Sequence, residues 1–219
     1  MDLRGVVFDY GMVLSKPPEK VAHGGLVEIT GLSRDLFDQY YWANREDYDV
    51  GIWGGTTFWE KVARDAGLTF SPDQLSRLLK LDAQMWMSLN EPVLAWSQQI
   101  RAAGFKIGIL SNIGDEMVKA MLEKFTWLKN YDHCTWSYEL GILKPNPEIY
   151  LHTLDKLGVE PNQALFLDDK PVNVRGAEEV GMYGIVFSTM EKLIEDLKSR
   201  GFDRVLPLPA LMEEAKAGE

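Results

Sequence analysis

Only one cysteine, Cys134, is present, so no disulfide can close within the chain. No apolar run approaches the ~20 residues that span a bilayer. The opening stretch, MDLRGVVFDY, carries an acid at position 2 and too short an apolar segment for a signal peptide. Cations are in deficit: 23 Lys and Arg stand against 33 Asp and Glu, giving a net charge of −10 and a sequence pI of about 4.9. A field of that sign repels nucleic acid and anionic membranes. It also repels a phosphate substrate unless the site brings its own cation, which clustered carboxylates would supply by attracting a divalent metal. These absences point to a cytoplasmic protein with neither nucleic acid nor a membrane as partner. Internal repeats and low-complexity tracts are also missing.

What is present suits a globular protein. The chain has 219 residues, 46% of them apolar and 26% charged, enough for one large domain or a core with a small insertion. Short apolar runs alternate with helix-like segments. The runs cover residues 3–8, 105–110, 164–167 and 183–187, each ending at a polar residue, as buried parallel strands do. Helices are expected over 91–103, 114–124, 147–157, 171–180 and 190–198. Strand, helix, strand in sequence implies right-handed crossovers and a doubly wound, mostly parallel α/β sheet. Residues 16–90 break the rhythm, with no convincing strand and helices expected over 33–48, 56–66 and 71–87. The division that follows is a core of 1–15 and 91–219 carrying a helical cap of 16–90. The cap is rich in aromatics. Trp53, in the glycine-rich turn GIWGG, is its candidate substrate contact. The tail beyond Gly201 reads as a surface excursion.

Open parallel sheets bind ligands beyond the carboxyl ends of their strands. Asp9, Ser111 and the pair Asp168-Asp169 fall at such ends. Singly, each is an ordinary turn former. Together they place several acids at one edge of the sheet, and adjacent buried acids are costly without a cation. That combination favours a metal site.

These stretches resemble the four motifs of the haloacid dehalogenase (HAD) superfamily of hydrolases, most of which are phosphatases: VVFDYGMVL around Asp9, ILSN with Ser111, GILKPNPEIY with Lys144, and FLDDKPVNV with Asp168, Asp169 and Asn173. All four occur in order, and the helical segment after the first is similar to the small cap of one large subgroup. The resemblance implies a Rossmann-like core and a role for each residue. Asp9 is the nucleophile that forms an aspartyl-phosphate. Ser111 and the backbone N–H of Asn112 donate to the phosphoryl oxygens, and Lys144 neutralises developing charge. Mg²⁺ is held by Asp9, the Gly11 carbonyl, and Asp168 or Asp169. Asn173 orients a neighbouring acid or a metal-bound water, or caps the next helix. The implied substrate is a small phosphorylated metabolite, handled by a monomer or homodimer.

One departure stands out. Most family phosphatases carry Asp two residues after the nucleophile, as general acid and base. This chain has Gly11. Such help is typically worth about 10²–10⁴-fold. Tyr10, Lys16 and His23 are near enough in sequence to stand in, although His23 reads as an exposed loop residue. Alternatively, the substrate's leaving group departs with little need of a proton, or most of the activity has been lost. Members with glycine at this place resemble active phosphatases. Two other functions compete. One is a 2-haloacid dehalogenase, whose first motif resembles DxYGT rather than the DYGMV present here. The other is a non-catalytic binding protein on the same fold.

Overall fold

The computed structural model describes residues 2–210. Strand β1 (Gly5–Phe8) runs into a tight turn, Tyr10–Leu14, and five helices follow: α1 (Lys20–Thr30), α2 (Arg34–Ala43), α3 (Arg45–Asp49), α4 (Gly55–Asp65) and α5 (Pro72–Met85). The chain then alternates through α6 (Glu91–Ala102), β2 (Lys106–Ser111), α7 (Asp115–Lys124), β3 (His133–Trp136), α8 (Ser137–Leu140), α9 (Pro147–Leu157), β4 (Ala164–Asp168), α10 (Pro171–Glu179), β5 (Tyr183–Val186) and α11 (Met190–Ser199). All strand pairs are parallel, in the order β3-β2-β1-β4-β5. Among the described residues no helix is long and apolar enough to cross a membrane.

The two-residue period of a strand explains why helices cover both faces. Val6 and Phe8 point into a cluster with α6, α7 and α11, whereas Val7 points into one with α9 and α10. Phe8 meets Trp96 of α6 edge-on, at 5.8 Å between ring centres.

Helices α1–α5 build a third hydrophobic cluster, separate from the sheet, around Phe37, Tyr41, Phe58 and Trp59. The chain enters and leaves this insertion side by side. Ser15 and Leu89 form an antiparallel bridge. Around it, Lys16 N donates to Ser88 O (2.7 Å) and Asn90 N to Leu14 O (2.8 Å).

Four expectations from the sequence are corrected. Strand β3, over HCTW, has too little apolar character to stand out, because only Thr135 and Trp136 are buried. Helix α1 contains Gly24 and Gly25, poor helix formers, yet packing against α5 sustains it, and Gly25 brings it close to Leu81. The helix expected over 33–48 is two, α2 and α3, meeting at Asn44. The described part of the tail, residues 202–210, is no mere surface excursion, since Phe202 and Leu206 are buried and Trp96 Nε1 donates to Pro207 O at 2.7 Å; its acidic end lies outside the described residues.

The insertion closes on the core at Gly114, where the ring of Tyr48 leaves no room for a side chain. A Cβ there would lie 2.2 Å from the Tyr48 ring. Gly114→Ala is expected to lower stability by about 1–3 kcal/mol, read as an earlier midpoint in urea unfolding. An unchanged midpoint would show that the Tyr48 contact is loose.

Candidate active site

Register brings the acids together. Phe8 lies opposite Ile109 on one side and Leu167 on the other. The residues just beyond therefore meet at one edge: Asp9 after β1, Ser111 ending β2 and Asp168 ending β4. Asp9 N extends the ladder by donating to Leu167 O at 2.8 Å. Carboxylate oxygens of Asp9, Asp168 and Asp169 lie within 4.8 Å of one another.

Lys144 reaches this point from the loop between α8 and α9. Its Nζ sits 2.9 Å from Asp9 Oδ1, 2.6 Å from Asp168 Oδ2 and 3.0 Å from Leu110 O, so all three ammonium hydrogens have acceptors. Burial opposes the ammonium, but Asp9 and Asp168 outweigh it and hold the Lys144 pKa above the ordinary lysine value. Burial pushes the Asp9 carboxyl up to about 7, with Lys144 pulling the other way and Asp168 adding to the rise. Two carboxylates pair with one ammonium, and a third, Asp169, lies beside them. That excess of negative charge, presented as hard oxygen donors, fits a divalent cation of the magnesium type.

The supporting residues are well defined. Asn112 clamps the Lys144 backbone from both sides: its Nδ2 donates to Lys144 O (3.0 Å) and its Oδ1 accepts from Lys144 N (2.8 Å). Asn173 Nδ2 lies 3.1 and 3.0 Å from the two Asp168 oxygens, and Lys170 N donates to Asp168 Oδ1 at 2.8 Å. Asp168 is thus fully engaged and inaccessible. Asp169 is half-buried and lines the cavity, its carboxyl raised by burial and by Asp168 beside it. Of the two acids left open by the sequence, Asp169 is the one with oxygens directed to the open space.

The cavity, about 610 Å³ counting its mouth, has Asp9, Gly11, Ser111 and Lys144 on the sheet side. Trp42, Arg45, Asp49 and Trp86 face them from the insertion. Arg45 is buried and held at Nε by Asp49 Oδ1 (2.9 Å) and at Nη1 by Asp82 Oδ1 (3.3 Å) and the Tyr41 hydroxyl. Its guanidinium also lies over the rings of Tyr41, Tyr48 and Phe58. Burial, against the pull of Arg45, leaves the Asp49 carboxyl above its ordinary value. The Ser137 hydroxyl ties this wall to the core: it donates to Asp49 O at 2.6 Å and accepts from Ile113 N at 2.8 Å. Arg45 and Asp49 give no signal in the sequence, because a charged run such as NREDYD reads as a solvated helix face, and Trp86 is one of several insertion aromatics that the sequence does not tell apart.

None of the stand-ins for the missing acid has a free proton directed at Asp9. Tyr10 lines the cavity, but its hydroxyl donates to Trp86 O at 2.8 Å and burial raises its pKa far above the tyrosine norm. Lys16 is exposed and outside the cavity. His23 is not a loop residue: it lies on α1, paired with Asp38 at 2.8 Å and edge-on to Phe37. Trp53 lies outside the cavity, with Lys61 Nζ 4.9 Å above its ring. Gly11 itself has φ −61° and ψ 132°, which any residue can adopt, so the backbone does not demand glycine. A Cβ there would meet Trp86 Cζ3 at 3.9 Å. The next residue, Met12, holds the turn with φ 62°, the left-handed region.

Comparison with known proteins bears on this geometry. A family model described as "Hydrolase: haloacid dehalogenase-like hydrolase" matches residues 22–181. Bifunctional epoxide hydrolase 2 of Sus scrofa is 26% identical over 227 residues, covering 96% of this chain but only 41% of that protein's length. (S)-2-haloacid dehalogenase 1 of Pseudomonas sp. (strain CBS-3) is 28% identical over 198 residues, covering 87% of this chain and 86% of the relative. Among solved structures, a HAD family enzyme of Bacteroides thetaiotaomicron, crystallised with magnesium and inorganic phosphate, superposes with a TM-score of 0.68. It is 18% identical, with 85% of this chain and 94% of that chain covered.

The two neighbouring acids separate in experiment. Mg²⁺ at a hundred times its dissociation constant is expected to add about 2.7 kcal/mol of stability, seen as a rise in melting temperature. Asp169→Asn is expected to lose most of that gain with little change in the metal-free melt. Asp168→Asn is expected to cost about 3–5 kcal/mol without metal, because Lys144 keeps only one carboxylate partner. Equal behaviour of the two variants would contradict the division.

Proposed function

Since the chain belongs to the haloacid dehalogenase-like hydrolases, we propose that this hydrolase is a Mg²⁺-dependent phosphatase of a small phosphorylated metabolite. The observation that carries the reading is the convergence of Asp9, Asp168 and Asp169 at the sheet edge, with Lys144 paired to the first two. In it, residues 1–15 and 91–219 perform the chemistry, and 16–90 cap the site.

Asp9 attacks phosphorus through the oxygen not held by Lys144, forming an aspartyl-phosphate as the ester oxygen departs. A carboxylate needs no base to act as nucleophile. Lys144, fixed by Asp168 and by the Asn112 clamp, stabilises the charge that gathers on the phosphoryl oxygens. Ser111 Oγ and Asn112 N donate to those oxygens. Asp9, Asp169 and the Gly11 carbonyl would hold Mg²⁺, with Asp168 behind them. The ion would screen the repulsion between phosphate and the acids. Asn173 serves by keeping Asp168 in place.

A second reading has its own support in the Pseudomonas dehalogenase, which spans most of this chain. There Asp9 would attack carbon and expel halide, with no metal. Against it, Asp169 directs a carboxylate into the cavity and would repel a haloacid anion. A non-catalytic binding protein is disfavoured because Asp9, Ser111, Lys144 and both acids are all present.

A panel of phosphate esters, assayed with and without Mg²⁺ for wild type and Asp9→Asn, tests the reading. Wild type is expected to turn over only with metal, and Asp9→Asn to fall to background. Gly11→Asp, which the backbone accommodates, is expected to raise turnover of alkyl phosphates by up to about 10²–10⁴-fold. Halide release from chloroacetate without Mg²⁺ would favour the second reading.

A further inference from the structure

The tryptophan at the end of α5 stands where the missing acid would point. The Trp86 ring lies over Gly11, with Cζ3 3.9 Å from the position of a Cβ there. It lines the cavity and packs against both the core cluster and the cluster of the insertion. Its backbone carbonyl is fixed by the Tyr10 hydroxyl at 2.8 Å. Its indole Nε1 is buried and has no acceptor among the described residues, as is also true of Trp59 and Trp127. The neighbouring wall is apolar too: Trp42, Ile113 and Met117 line the same space.

Resting on the phosphatase reading, we propose that Trp86 is the leaving-group contact and that this site selects phosphate monoesters of flat, aromatic hydroxyl compounds. Two independent features agree. A flat ring can lie against the indole face. An aryl oxygen also leaves without a proton: the bond from Asp9 to phosphorus forms, the ester P–O bond breaks, and the electron pair departs on a phenolate, which later takes a proton from water. Phenols ionise near pH 10, as tyrosine does, so the loss of an acid at Gly11 weighs least on them.

Phosphonates separate ring recognition from leaving-group chemistry, because their P–C bond is not cleaved. Binding of phenylphosphonate, cyclohexylphosphonate and inorganic phosphate is measured by calorimetry with Mg²⁺ for wild type, Trp86→Phe and Trp86→Leu. Wild type is expected to prefer the phenyl over the cyclohexyl compound by roughly two- to tenfold, the range of an aromatic pair. Trp86→Phe keeps part of that ratio, and Trp86→Leu brings it to about one while inorganic phosphate confirms an intact site. A wild-type ratio of one, or a ratio unaltered in Trp86→Leu, overturns this inference alone. Failure of wild type to bind any of the three removes the phosphatase reading as well.

Discussion

Everything at the sheet edge depends on one buried ammonium. Lys144 Nζ lies between Asp9 and Asp168, with its third hydrogen on the Leu110 carbonyl. Those three acceptors belong to the ends of β1, β4 and β2, the central strands. A lone ammonium in so dry a place would be prohibitively costly, and so would two unpaired carboxylates. Each charge therefore makes the others tolerable, and the cluster locks three strand ends to a loop that comes from elsewhere in the chain. The arrangement remains deficient in positive charge. That residual imbalance, rather than any one ligand, is what a bound cation would offset.

The insertion solves a similar problem differently. Arg45 is buried away from the sheet, but its partners come from three places: Asp49 on its own helix, Asp82 on α5 and the faces of three aromatic rings. Spreading one charge over acids and π-faces costs less desolvation than isolating it. The network makes one wall of the cavity rigid, and Ser137 couples that wall to the residues following Ser111. The sheet edge and the insertion are thus two internally braced bodies, joined by the Ser137 hydrogen bonds and by the packing of Tyr48 and Trp86.

Most of the fold was legible because its signals are local. Each of β1, β2, β4 and β5 is a short apolar run closed by a polar residue, and α9 is bracketed by Pro147 and Gly158. The site residues were legible for the same reason: Asp9, Ser111 and Asp168 each terminate such a run. What escaped depends on packing at a distance. Helix α1 needs α5 to offset its two glycines. β3 needs β2 beside it, since His133 and Cys134 carry little apolar pull. Arg45 looks like a surface charge until α2, α3 and α5 are brought together, and Trp86 means nothing in sequence until its ring is found above Gly11. Asp168 and Asp169 are indistinguishable neighbours along the chain. Only the placement of Lys144 and Asn173 shows that one is braced and the other open.

The paired entry and exit at Ser15 and Leu89 have an architectural consequence. To the sheet, the whole excursion from one residue to the other is equivalent to a short hairpin, because its two ends stay a single bridge apart whatever lies between them. Loop-closure entropy rises only slowly with length, so five helices burden the strand pairing scarcely more than two would. A change in the length of the excursion would therefore leave in place the register that sets Asp9 beside Asp168.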